Sequence, residues 1–472
     1  MDLKDKRVLV FGLGIHGGGL GVARWLVKQG ARVTVTDLKR AEELQPSLDA
    51  LQGLPIEYVL GEHREQDFAK TGLVVRNPAV PRESPWLKIA RENGVPIEME
   101  MGLFVERLPR HAAQVIGITG TKGKTTTTLM VGEIIKRVNP KAVVAGNLRV
   151  SALELLDKID ADTPVILELS SWQLEGLLPH ETSPHIAAIT NISPDHLNRY
   201  RDMDDYAEAK AIVFRFQQPG DFLVLSFDNK VLTRLSPRAF GKVVWTSTQR
   251  VLTEGAYRGG DTLVWRQGGT RHKIMKVSDL RVSGEHNIAN ALTAIALAAT
   301  WMQDPVNSVG GLNPEVIAKA LADWPGVEHR QEVVREVGGV RYVNDTTATA
   351  PAAAIAAIEA FAPGAQNIVL IAGGADKALE FGEMARVIAK RVKQLILLEG
   401  TATDKLASAV QAAGAASMIA GRFDSLSAAV QRAQKVARSG DVVLLSPGCA
   451  SFGMFANEFE RGDKFREIVN RL

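Results

Sequence analysis

Residues 117–128 read Gly-Ile-Thr-Gly-Thr-Lys-Gly-Lys-Thr-Thr-Thr-Thr. Glycines let a chain approach phosphate closely, consecutive backbone N–H groups wrap its oxygens, and a helix start adds favourable partial charge. An apolar pair, Val115 and Ile116, precedes the run and an amphipathic stretch over 129–135 follows it, which is the strand, loop and helix setting this chemistry needs. Gly120, Thr121, Lys122, Gly123, Lys124, Thr125 and Thr126 are therefore the candidate contacts of a nucleotide, ATP or GTP. Lys124 would neutralise β- and γ-phosphate oxygens, and Thr125 would offer its hydroxyl to Mg2+. The spacing departs from the general phosphate loop: Ile118 stands five residues before Gly123, and the glycines fall at Gly117 and Gly120 instead.

Two further residues share this setting. Glu168 follows the apolar run 165–167, and His196 follows a second apolar run, 186–190, within Asn191-Ile-Ser-Pro-Asp-His. Parallel strands open their carboxyl ends on one crevice, so Glu168, His196 and Thr125 are expected to converge on a phosphate-bound metal, and oxygen ligands suit Mg2+. A lone Glu or His would be an ordinary hydrogen-bonding group; the common strand-end position favours the metal.

A second phosphate-binding turn opens the chain. The strand pattern 7–11 leads into Gly12-Leu-Gly14-Ile-His-Gly17, a helix expected over about 22–29, and a strand 32–36 ending at Asp37. That order places a diphosphate at the helix start and Asp37 near a ribose. It does not choose between NAD and another diphosphate ligand, and a tight turn without ligand is the plain alternative.

These elements belong to a chain of 472 residues with 56 basic and 53 acidic side chains. That length predicts about three domains, and the even charge without a basic block argues against nucleic acid. Cys449 is the only cysteine, so no internal disulfide forms, a reducing compartment fits, and the residue reads as a small buried apolar group. The first residues run straight into a strand pattern, and no run approaches the ~18 apolar residues of a membrane helix; a cytoplasmic protein is expected. Linker-like stretches near 109–114 and 323–330 separate three α/β units. The middle one carries strands over 142–145, 165–169 and 186–190 and a helical stretch over 289–301. The last alternates strand 368–372, helix 381–390, strand 394–398, helix 404–413 and strand 442–445.

The order and spacing of several motifs resemble the Mur ligase family across all three units: Thr119-Gly-Thr-Lys-Gly-Lys-Thr-Thr-Thr, Gly146-Asn147, Glu168-Leu-Ser-Ser-Trp-Gln-Leu-Glu, Asn191-Ile-Ser-Pro-Asp-His196, His286-Asn-Ile-Ala-Asn290, His329-Arg330, Asn344-Asp345 and Leu445-Ser-Pro-Gly-Cys-Ala-Ser451. The chain is most similar to the glutamate-adding members. The resemblance implies a Rossmann-like domain over 1–112 that binds a UDP substrate, a central phosphate-loop ATPase domain over 113–325, and a Rossmann-like domain over 326–472 that binds the amino acid. It implies an ATP-dependent amide ligase of peptidoglycan synthesis that adds D-glutamate to UDP-N-acetylmuramoyl-L-alanine through an acyl phosphate. ATP and Mg2+, at two sites, are the cofactors, and a monomer is expected.

Residue by residue, the resemblance assigns Gly14, Ile15, Asp37, Lys39, Asn77, Ala79 and Asn147 to the UDP substrate, with a metal-bound water as the alternative contact of Asn147, and Asn287, Asn290, Arg330 and Asp345 to ATP. Lys124, His196, Lys210 and Arg330 are the catalytic set; Thr125, Glu168, His196 and Lys210 are the metal set, with Lys210 carbamylated by CO2. Without the resemblance Lys210 reads as an exposed helix lysine. Thr349, Lys377, Ser451 and Phe459 fall to the amino acid.

Two positions depart from the glutamate-adding pattern. The lysine expected after Asn344-Asp is Thr347, and the aromatic expected seven residues after Ser451 is Glu458, with Phe459 displaced by one. Both lie on the amino-acid side, which keeps L-glutamate as an alternative acceptor. A folylpolyglutamate synthetase lacks the separate first domain. An NAD-dependent oxidoreductase would leave the central loop, Glu168 and His196 unexplained.

Overall fold

The structure is a computed structural model and describes residues 1–14, 18–148, 150–195, 199–282, 284–307, 309–361, 366–377 and 379–472. Contacts divide it into two compact units, residues 1–279 with 285–322 and residues 280–284 with 323–472. The first unit holds two sheets and the second holds one, so three α/β layers are present, as the alternation of apolar runs predicts.

The first sheet is parallel, in the order Ile56–Leu60, Arg32–Asp37, Arg7–Phe11, Leu73–Arg76, Ile97–Glu98. Strand order reverses between Arg7–Phe11 and Leu73–Arg76, so the turns after those two strands flank the crevice where such sheets take ligands. The helix after the first strand spans Gly18–Lys28, four residues longer at its start than its apolar periodicity suggests.

The second sheet is centred on Val115–Thr119, between Val165–Glu168 and Ile186–Ile189, with Val143–Gly146 at one edge. Ile118 pairs with Glu168, Thr119 with Ile189 and Gly146 with Glu168, so these strand ends are level. Beyond Ile186–Ile189 the sheet continues through Phe222–Ser226 and Lys242–Ser247 into three strands, Gly255–Gly259, Thr262–Gln267 and Thr270–Lys276, joined as antiparallel hairpins. One apolar core runs through both sheets' layers, from Val8, Leu26 and Val33 to Leu167, Ile189 and Val213, which is why the first two layers form one unit.

The second unit has six strands, in the order Glu332–Val337, Val340–Asn344, Val442–Leu445, Ile368–Gly373, Val392–Leu398, Ile419–Phe423, with only the first pair antiparallel. Its interior strands are apolar on both sides and covered on each face by a separate core, as expected for a buried parallel sheet.

His185 immediately precedes strand Ile186–Ile189. Its Nδ1 lies 2.6 Å from Asp221 Oδ1 and its Nε2 lies 2.7 Å from Asp304 Oδ2. Ionised carboxylates only accept, so both ring nitrogens donate and the ring is an imidazolium. Burial opposes that charge, but the hydrogen bonds to Asp221 and Asp304 outweigh it and raise the pKa above the ordinary histidine value. A raised folded-state pKa gives stabilisation that is complete below the unfolded value of about 6.5 and is lost as pH rises through the folded one. The His185→Gln variant should therefore lose on the order of 2 kcal/mol below about pH 6.5 and much less in alkaline buffer. Thermal unfolding of the two proteins across pH checks this, and a difference that does not change with pH would exclude the charged ring.

Candidate active site

Strand Val115–Thr119 runs into the loop 120–123 and then into helix Lys124–Val138. The loop is held from the next strand end. Thr121 N donates to Asn191 O at 2.8 Å, Lys122 N to Asn191 Oδ1 at 3.1 Å, and the Lys122 carbonyl accepts from Thr190 Oγ1 and Asn191 Nδ2. Gly120, at φ +143°, approaches so closely that a Cβ there would lie 2.0 Å from Thr190 Oγ1; at Gly123, φ +82°, it would lie 2.2 Å from Asn290 Oδ1. The two glycines are demanded by these neighbours, whereas Ile118, in the usual glycine position, is a buried strand residue paired with Glu168. The first intrahelical bond is Thr127 N to Gly123 O, so the amides of Lys124, Thr125 and Thr126 lie ahead of it, with no side chain capping the helix.

Two ammonium groups converge on the loop. Lys124 Nζ donates to the carbonyls of Gly120 and Thr121 at 3.1 and 2.9 Å, and Lys210 Nζ donates to the Gly120 carbonyl at 2.8 Å. Lys210 comes from helix Met203–Arg215 and lies over the Tyr206 ring. Contrary to its reading as an exposed helix lysine it is 1 % exposed, because that face of the helix packs onto the strands below the loop. Burial, and secondarily the Lys124 charge, push its pKa down to about 7.

Glu168, at the end of its strand, is buried. Its Oε1 accepts from Asn147 Nδ2 at 2.9 Å, while Oε2 is buried without a hydrogen-bond partner. A desolvated carboxylate oxygen in this position fits a hard cation, and the Thr125 hydroxyl lies in the first turn of the adjoining helix. His196 lies outside the described residues. Asn290 is turned to the loop: its Oδ1 accepts from Thr127 Oγ1 at 3.5 Å and its Nδ2 donates to Asn287 Oδ1 at 3.2 Å. These two asparagines, assigned to ATP by resemblance, thus also brace the loop.

At the first sheet, Asp37 Oδ2 accepts from Leu13 N and Gly14 N at 2.9 and 3.1 Å, and Oδ1 accepts from Lys39 N at 3.0 Å. The carboxylate expected near a ribose therefore also shapes the glycine turn. Asn77 Oδ1 accepts from Ala79 N, closing the turn on the other side of the crevice. Ile15 lies outside the described residues.

In the second unit, Asp345 is buried at the end of strand Val340–Asn344, with Ser446 Oγ donating to it at 2.7 Å and Gln331 N at 3.1 Å. Burial pushes its pKa up to about 7, against those bonds and the nearby Arg330 charge. Arg330 itself is exposed. Lys377 Nζ donates to Thr349 Oγ1 at 3.4 Å, and Ser451 Oγ is buried without a partner, an unmet polar atom suited to a ligand. Phe459 packs edge-on to His329 at 5.5 Å. Thr347, where the pattern has lysine, donates its hydroxyl to the His329 carbonyl at 3.0 Å, so it is a strut of the turn.

Three supporting residues were not singled out from the sequence. Thr190 and Asn191 lie in the quoted strand-end motifs, but their use as a clamp depends on strand adjacency. Arg461 is 1 % exposed and ties Thr346 Oγ1 and O and the Ala450 carbonyl together; an arginine in a charged helix sequence gives no sign of that.

Family models match in order along the chain: the Mur ligase MurD-like N-terminal domain at residues 6–98, the Mur ligase middle domain at 118–298, and the Mur ligase glutamate ligase domain at 329–449. A UDP-N-acetylmuramoylalanine–D-glutamate ligase of Roseiflexus sp. (strain RS-1) is 50 % identical over 99 % of each chain. The protein of that name from Symbiobacterium thermophilum is 38 % identical over 99 % of this chain and 98 % of its own. Among solved structures, the UDP-N-acetylmuramate–alanine ligase of Thermotoga maritima has the same fold, with a TM-score of 0.58 at 21 % identity over 99 % of both chains. Matched over most of its length by the domain models and over nearly all of it by these relatives, the chain belongs to the Mur ligase family.

Proposed function

We propose that the chain is an ADP-forming ligase of peptidoglycan synthesis that joins D-glutamate to UDP-N-acetylmuramoyl-L-alanine at the expense of ATP. The observation that carries this reading is the loop itself: Lys124 Nζ, held on the Gly120 and Thr121 carbonyls, stands beside the uncapped amides of the following helix, and a cation with N–H donors in one place forms a site for a polyanion. The names of the similar proteins support D-glutamate over L-glutamate as the acceptor.

A carboxylate is a poor acyl donor. In the proposed sequence the alanyl carboxylate attacks the γ-phosphorus of ATP, the bond to the β-phosphate oxygen breaks, and acyl phosphate and ADP form. The glutamate amine then attacks the acyl carbon, phosphate leaves, and the amine loses its proton as the amide forms. Lys124 follows the charge on the transferring phosphoryl group, and the amides of Lys124, Thr125 and Thr126 hold its oxygens. Glu168 and Thr125, with His196 by resemblance, would hold Mg2+, which supplies Lewis-acid neutralisation of the phosphates. The neutral amine of Lys210 adds to CO2 and loses a proton to give a carbamate, a second anionic ligand. Its depressed pKa supplies that neutral form near neutrality.

On the amino-acid side, Lys377, Thr349 and the Ser451 hydroxyl receive the glutamate carboxylates, with Phe459 at the edge, and the resemblance assigns Arg330 and Asp345 to ATP. Functional domains over 1–112, 113–325 and 326–472, a monomeric enzyme and a cytoplasmic location, where ATP and the nucleotide substrate are made, complete the reading.

Phosphate release and product mass, measured with ATP, Mg2+ and UDP-N-acetylmuramoyl-L-alanine, should show turnover with D-glutamate; product with L-glutamate alone would overturn the acceptor assignment. Lys124→Ala should cut kcat by about a hundred- to a thousand-fold, and near-normal turnover would remove Lys124 from the phosphates. Lys210→Ala should be inactive and partly restored by formate or acetate, whose oxygens replace those of the carbamate; no restoration counts against the modification. Thr347→Lys should change the KM for D-glutamate several-fold and that for ATP by less than about twofold, and the opposite pattern would place Thr347 outside the acceptor region.

A further inference from the structure

Glu100 opens the short helix Glu100–Val105 and is buried between the first two sheets, within the first compact unit. Its Oε1 accepts from Ser151 Oγ at 2.5 Å and from Ala152 N at 2.8 Å, capping the turn Ala152–Lys158 that follows the Asn147 loop. Its Oε2 points the other way. It is the atom nearest the place a side chain on Gly18 would occupy, 3.9 Å from it, and Glu100 lines a narrow crevice with Gly12, Gly18, Arg76 and Asn77. That crevice lies between Gly12 and the start of helix Gly18–Lys28, where strand order reverses.

Resting on the reading of this turn as the diphosphate site of the nucleotide substrate, we infer that Glu100 binds in its protonated form and donates a hydrogen bond from Oε2 to a diphosphate oxygen. A carboxylate there would repel the ligand, whereas a carboxylic acid with both of its Oε1 bonds intact has its one proton on the oxygen that faces the turn. The surroundings favour the acid. Burial raises the Glu100 pKa to about 7 despite the bonds from Ser151 and the backbone, and the Glu154 charge pushes it the same way. Among the described residues, the cations near it have other partners: Arg76 is paired with Glu175, and Arg24 with Glu154. His180, on the turn packed against this helix, faces Glu98 and Glu106. No unmatched positive charge remains among these groups to hold Glu100 ionised.

A diphosphate diester keeps constant charge around neutrality, so any pH dependence of its binding there belongs to the protein. Calorimetric titration of the full chain with UDP-N-acetylmuramoyl-L-alanine should show Kd weakening toward about tenfold per pH unit above about 7, with proton uptake on binding. Glu100→Gln carries a permanent N–H donor in place of the acid, and its Kd should stay flat across the same range while the Ser151 and Ala152 bonds are kept. A wild-type Kd that is flat with pH, without proton uptake, overturns the proposal and leaves the substrate reading standing. No binding at any pH removes the substrate reading and the proposal with it. A Glu100→Gln slope parallel to wild type likewise excludes Glu100 as the titrating group. If the variant does not fold, difference infrared spectroscopy of the wild-type chain above about pH 7 decides: a protonated-carboxyl band that appears on binding supports the proposal, and binding without that band overturns it.

Discussion

The clamp of the phosphate loop by the neighbouring strand end is the constraint on which the rest of the first unit depends. Thr190 and Asn191 take up backbone groups of Thr121 and Lys122, and in doing so turn the amides beyond Gly123 outward. The same contact forbids a side chain at Gly120 and leaves its carbonyl to receive both lysines. Each of these bonds is worth only about 1 kcal/mol net. Together they remove the freedom a glycine-rich loop would otherwise have, so little ordering remains to be done when phosphate arrives.

The glycine turn proposed for the nucleotide sugar and the glycine loop proposed for ATP are built on different sheets, and their relative placement is a packing problem. Arg76, at the end of a strand in the first sheet, is paired at 2.5 Å with Glu175 of the second layer, and Arg76 also donates to the Val80 carbonyl. Both side chains are largely buried, so the pair gains little over apolar packing, but loss of one partner would strand a desolvated charge. Arg24 with Glu154 and Glu100 with Ser151 add to the same seam. The shared apolar core beneath these contacts supplies the larger share of the cohesion.

In the second unit the corresponding problem is solved by one side chain. The guanidinium of Arg461 is enclosed and bonded to Thr346 and to the Ala450 carbonyl, drawing together the ends of Val340–Asn344 and Val442–Leu445. Burial lowers its pKa to about 10, yet it stays charged at neutrality. Ser451 is the next residue after that carbonyl, and its unmet hydroxyl is positioned as a consequence. Glycine at position 462 lets His329 pass within 2.3 Å of where a Cβ would stand, which keeps the preceding turn against the same helix.

Local sequence determined a good deal of this protein. Apolar runs of strand length located Val165–Glu168, Ile186–Ile189, Ile368–Gly373 and Val442–Leu445, with ends off by at most a residue, because burial on both faces requires uninterrupted apolar side chains. Glycines next to Lys-Thr identified the loop, since close approach to phosphate tolerates few alternatives. The hairpins over 255–276 were missed although Gly259-Gly260 and Gly268-Gly269 mark their turns, as alternation there is diluted by charged residues. What only the tertiary structure decided was environment. Lys210 and Glu100 look like ordinary charged residues of helices, and their buried positions depend on which strands and turns pack against them. A pKa and a hydrogen-bond partner are properties of surroundings that distant parts of the chain create, so no window of sequence contains them.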